Sequence, residues 1–217
     1  VNEADARRQR IEAMFVGKPI SAPKLVPGGY PVALLERVET GDDAALEEVA
    51  AFLRDGASEM FRRGHGSLRA TAYVFCRCDP VGFDVTDPLY TVSIQGGAAE
   101  HDSGAIKDAF ATLVHAVAMI GQARGVAFFM EAWAVSGVSE LPKGSLEHVP
   151  GRVEVVLVSL ETASKQWMWS GRVTRYAGRG FSIAPFVNHG EDKRSGRFCG
   201  LMQPGYNAAK AAQRDEP

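Results

Sequence analysis

Apolar residues recur at helical spacing in two stretches of the chain and alternate, or run together, in several others. In the first stretch Leu46, Val49, Leu53, Ala57, Met60 and Phe61 fall on one face of a helix. Thr40 and Asp43 make a capping-box-like start, and Gly64 and Gly66 end it. In the second, Ile106, Phe110, Leu113, Val117 and Ile120 form one stripe, with Ser103 as N-cap and Gly125 as the stop. A short charged helix is predicted over 2–15, with Ile11, Met14 and Phe15 as its apolar tip. Leu68–Cys78, Tyr90–Gln95, Val126–Ser136, Val153–Leu160 and Gln166–Arg175 are rich in β-branched and aromatic residues and predict strands. Phe181–Val187 predicts a short last strand.

The main elements therefore run α-β-β-α-β-β-β. Consecutive strands joined by turns favour antiparallel pairing. The expected fold class is α+β: a mostly antiparallel sheet with the two main helices packed on one of its faces. The order resembles that of the roadblock, longin and profilin-like sandwiches, a likeness of element order that implies no function. Three regions are expected. Residues 1–38 hold the charged helix and a Pro/Gly-rich arm (17–31), residues 39–187 form the core domain, and residues 188–217 form a polar tail with a short Ala-rich helix at 207–213.

Composition narrows the class. Apolar residues make up 46% of the 217 and charged residues 23%, the balance of a globular protein. No apolar run approaches the roughly 20 residues that span a bilayer, and the first fifteen residues carry no apolar core of a secretory signal. The expected location is the cytoplasm, or a particle assembled there. Cys76 and Cys78 lie two apart on one strand face and read as small buried thiols. With Cys199 they give an odd count that supports no disulfide framework. The net charge of −2 is uneven. Residues 65–164 carry six Lys/Arg against eleven Asp/Glu, whereas residues 165–197 carry seven against two. Such asymmetry pairs internally, joins copies or meets an acidic partner.

Candidate chemistry is sparse. The chain contains no phosphate-binding G-x-x-x-x-G-K-[ST], no dinucleotide G-x-G-x-x-G, no H-E-x-x-H and no G-x-S-x-G. Its sharpest feature is Glu131, a lone carboxylate in the apolar run VAFFMEAWAVS. Buried, it needs a cation, and Arg152 or Arg172 on neighbouring strands could supply one. Alternatively it is a general base whose pKa is raised by aromatic surroundings. His101 and His148 could join Glu131 in a metal site, although no pair among them has a diagnostic spacing. Trp167 and Trp169 share a strand with Arg172 and Arg175. That combination suits a core, a protein interface or base stacking.

Glu131-Ala132-Trp133 followed by His148-Val149-Pro150-Gly151-Arg152-Val153-Glu154 resembles a pattern in uncharacterised bacterial and phage proteins. There a strand ending in E-A-W precedes an H-P-x-R-x-E loop and a further apolar strand. Here Val149 stands between His148 and Pro150. The resemblance spans about residues 65–165, implies no activity, and implies that Glu131, Trp133, His148, Arg152 and Glu154 lie near one another.

The leading functional expectation is a non-enzymatic interaction or assembly protein, phage or mobile-element encoded, acting as a homo-oligomer or on a protein partner. Trp133, Arg152, Trp167, Trp169, Arg172 and Arg175 are its candidate contact residues, and no cofactor or resident metal is expected. The alternative is a small hydrolase centred on Glu131 and His148. A third reading is nucleic-acid binding through Arg172, Arg175, Arg179 and Arg197, which the overall acidity disfavours.

Overall fold

The computed structural model describes residues 3–18, 20, 21, 23–25, 32–77, 90–96, 104–135, 149–178, 180–191 and 198–210. Along them run α1 (Glu3–Phe15), β1 (Lys24–Leu25), α2 (Val32–Glu39), α3 (Asp43–Arg63), β2 (Thr71–Cys76), β3 (Tyr90–Gln95), α4 (Gly104–Ile120), β4 (Ala123–Ala134), β5 (Val153–Glu161), β6 (Gln166–Arg175), β7 (Phe181–Ile183) and β8 (Val187–Glu191). The α+β class and the order of the main elements are as the sequence predicts. The eight strands form one sheet in the order β1-β3-β2-β4-β5-β6-β7, with β8 also on β6, and every pairing is antiparallel.

The helices cover both faces of the sheet, not one. Strand residues alternate between two cores. Val74, Val126 and Phe128 face α4 and α1, in a core with Val114, Val117 and Ile11. Phe75, Phe129 and Trp169 face α2 and α3, in a core with Leu35, Leu53 and Phe61. Central strands buried on both sides need apolar residues at consecutive positions, and Val126 to Phe129 are all buried. The apolar run around Glu131 is therefore a consequence of a layered arrangement of helix, sheet and helix.

Several local expectations shift. The cap of α3 is Asp42, not Thr40: Asp42 Oδ1 accepts the Ala45 N–H at 3.0 Å, while the Thr40 hydroxyl donates to the Arg37 carbonyl at 2.9 Å. The short helix α2 was not foreseen. Its Leu35 and Val38 point into the core, and eight residues following Pro31 give too little periodicity to stand out. Ser103 and Cys78 lie outside the described residues.

The divisions at 38 and 187 do not coincide with the edge of the core. Ile11 and Phe15 from the expected N-terminal helix, Ile20 from the expected arm, and Leu201, Met202 and Ala208 from the expected tail are all buried. Both segments complete the layer built on α4. The short helix expected at 207–213 is helical at 208–210, where the described residues end.

Candidate functional site

One end of the sheet gathers several of the residues singled out by the sequence. It is built from the ends of β4 and β6, the start of β5 and the turn leaving α3. That turn is tight. His65 has φ 54° and Gly66 φ 85°, both left-handed. A side chain on Gly66 would meet Phe181 Cδ1 at 2.8 Å and Arg175 Nη1 at 3.2 Å, so only glycine lets the turn close on β6 and β7.

Closing the turn aims the Leu68 amide at Glu131, whose Oε1 accepts its N–H. Glu131 is half-buried on the α3 side of β4. Burial pushes its carboxyl above the ordinary glutamate range, and the charge of Glu154 pushes the same way. The Leu68 N–H, the Arg175 charge and the Ser67 hydroxyl oppose them. Neither Arg152 nor Arg172 is its cation. Arg152 stacks instead on the Trp133 ring, its guanidinium carbon 4.8 Å from the centroid. Arg172 stands opposite Val155 on β5, on the sheet face away from Glu131.

Arg175 organises the rest. Its Nε donates to Glu154 Oε2 at 2.7 Å and its Nη2 to Glu154 Oε1, a bidentate pair. Nη2 also donates to the Gly66 carbonyl at 2.9 Å, tying β6 to the α3 turn. The guanidinium lies 5.9 Å from the Phe61 ring. Glu154 faces Trp133 directly across the β4–β5 ladder. Trp133 is 37% exposed and Tyr176 55%. His65, Arg175, Tyr176 and Gly180 line an open concavity of about 590 Å³ beside them.

The end of the sheet thus unites Glu131, Trp133, Arg152, Glu154 and Arg175. Trp167 and Trp169 are not surface residues. Strand parity turns both onto the α3 face, where they are 5% and 0% exposed within the core. Of the aromatic residues at this end, Trp133, already a contact candidate, and Tyr176, which was not one, are exposed. The same parity separates Arg172 from Arg175. His101, His148, Arg179 and Arg197 lie outside the described residues. Among the described residues no three His, Cys, Asp or Glu side chains converge as metal ligands, and no helix is long and apolar enough to cross a membrane.

Two features escaped the sequence reading. His65 lies between two glycines at the end of a helix, in RRGHGS, a signal for a special backbone turn. Glu161, at the end of β5, is a second carboxylate in an apolar strand and is buried far more deeply than Glu131. Its position beside a turn made it resemble an ordinary surface residue.

No family model matches the chain, and neither a curated protein nor a solved structure matches it.

Proposed function

We propose that this chain is a non-enzymatic interaction or assembly protein, acting in the cytoplasm or in a particle assembled there, and that the end of the sheet around Trp133 is its contact surface. The observation that carries the reading is Trp133 itself: a large aromatic held at the surface with an arginine stacked on it. The core does not need it there. Tryptophan, tyrosine and arginine supply most interface hot spots. Stacking the Arg152 guanidinium plane on the ring orders both side chains before a partner arrives, which lowers the entropy lost on binding. Arg175 and Tyr176 extend the same surface. The residues that carry the resemblance to the bacterial and phage group, Glu131, Trp133, Arg152 and Glu154, are among those that build it.

Glu131 fits this reading as a brace. Its carboxylate holds the Leu68 amide and so fixes the turn on which the surface rests. The partner is a second copy of the chain or another protein. Absolute mass by light scattering, across a salt series, tests the self-association arm. Wild type forms a defined oligomer, and Trp133→Ala with Arg152→Ala shifts it toward monomer without changing the far-ultraviolet circular dichroism. A salt-insensitive monomer, or an oligomer indifferent to both substitutions, counts against the reading. Retention on heparin lost by Arg175→Gln would favour the nucleic-acid reading instead.

A further inference from the structure

On the sheet face away from Glu131, β6 carries Ser170 and, two residues on, Arg172. Strand alternation puts both on the side opposite Trp167 and Trp169, which lie in the α3 core. Beside them β8 bulges. Its Glu191 stands opposite Trp167 and its Asn188 opposite Trp169, so His189 and Gly190 together face the single residue Met168. Gly190 takes a left-handed φ of 79°, and Asn188 Oδ1 accepts its N–H at 2.8 Å. The bulge aims His189 across the strand pair, with Nε2 2.7 Å from Ser170 Oγ.

Arg172 and His189 are exposed and Ser170 is half-buried. Among the described residues Arg172 has no ion pair. The register gives the reason. Glu154 is level with Trp133 and Glu191 with Trp167, which puts both carboxylates on the α3 side. Glu161 does share the Ser170 face, but it is level with Gln166, four residues back along β6. Both of its oxygens already accept N–H groups, those of Gly200 and Met202. Ser170, Arg172 and His189 therefore offer a hydroxyl, a guanidinium and an imidazole with no neighbouring carboxylate on their own face of β5, β6 or β8 to take them up. They belong to the stretch 165–197, in which seven Lys/Arg meet two Asp/Glu.

We propose that Ser170, Arg172 and His189 form a binding site for a phosphate monoester. With Nε2 protonated, His189 donates to Ser170 Oγ, which leaves the serine hydroxyl to donate outward. The two linked hydrogen bonds polarise that hydroxyl toward an anion. Arg172, about 7 Å further along the strand, brings its fork of N–H groups to the same ligand, the geometry that suits phosphate oxygens. An imidazolium and a guanidinium together present two positive charges. They match the charge of roughly −2 on a monoester better than the roughly −1 of a diester. The site is separate from the Trp133 surface and does not depend on the role of that surface.

NMR of the histidine rings in the full chain tests this, with inorganic phosphate titrated at fixed pH and at ionic strength held constant with chloride. The His189 ring signal should shift and saturate, with a Kd on the order of 1–10 mM, the affinity that a few exposed charge-assisted hydrogen bonds give. Arg172→Gln should weaken binding about tenfold and Ser170→Ala severalfold, whereas Arg152→Gln should leave the curve unchanged. Methyl phosphate should bind as phosphate does and dimethyl phosphate more weakly. A phosphoserine peptide that binds more tightly than methyl phosphate identifies a protein-borne phosphate as the ligand, and one that does not identifies a small free monoester. A shift that grows without saturating overturns the proposal, as does a curve that Arg172→Gln leaves unchanged. Dimethyl phosphate binding as tightly as methyl phosphate overturns the monoester assignment.

Discussion

Replacing Glu131 separates bracing from charge. In Glu131→Ala the Leu68 N–H loses its acceptor, and Leu68 is only 7% exposed, so water cannot readily take the vacant place. An orphaned buried donor costs about 1–3 kcal/mol. The half-buried side-chain methylenes add under about 1 kcal/mol. The expected loss is therefore roughly 1–4 kcal/mol, at its upper end a large share of the ~5–15 kcal/mol that holds a domain folded. Glu131→Gln keeps a carbonyl acceptor at the same reach and removes the charge that burial penalises. It should stay within about 1 kcal/mol of wild type. Urea unfolding at neutral pH, with an unchanged slope, measures both. The pH dependence has a definite sign. Because the folded carboxyl sits above the ordinary value of 4.5, the Glu131 contribution is fully present below that value and fades as pH rises through the folded one. The balance between wild type and Glu131→Gln should therefore move toward wild type in acid. Equal losses for Gln and Ala would refute the bracing argument, because the charge and not the hydrogen-bond acceptor would then matter. A difference between wild type and Gln that ignores pH would refute the burial argument.

Four further outcomes follow from named contacts. Arg175→Gln should raise the Glu131 carboxyl further and Glu154→Gln should lower it, since Arg175 and Glu154 act on it with opposite signs; carboxyl-carbon NMR titration reads both. Trp133→Ala should change stability by less than about 1 kcal/mol while weakening association, because the ring is a third exposed and serves no core. Gly121→Ala should cost about 1–3 kcal/mol, as the added methyl would stand 2.9 Å from Cys76 Cβ in a packed interior; pairing it with Cys76→Ala should recover part of the loss in thermal unfolding. Ile11→Ala should cost about 2–5 kcal/mol in urea unfolding, which would mark the N-terminal helix as core rather than arm.

Periodicity alone determined the α+β class, the two main helices and the run of strands, because helix and strand patterns are local and the apolar residues obey them. It also isolated Glu131, since one carboxylate in VAFFMEAWAVS has few innocent explanations. What it left undecided was everything that depends on which faces meet. The runs around Val126 and Ala72 are compatible with one covered face or two, and only the packing of α3 against one side and α4 against the other chose two. The same choice sent Trp167 and Trp169 inward, left Trp133 at the surface, and separated Arg172 from Arg175 by one step of strand parity. The partner of Glu131 could not be read from the chain at all. It is a backbone amide 63 residues away, and an amide carries no signature of its residue type. Glu161 is the same case: its partners are backbone N–H groups of a segment whose polar, glycine-rich composition reads as a tail. Side-chain chemistry is written in the sequence. Which backbone groups it serves is decided only when distant segments are packed together.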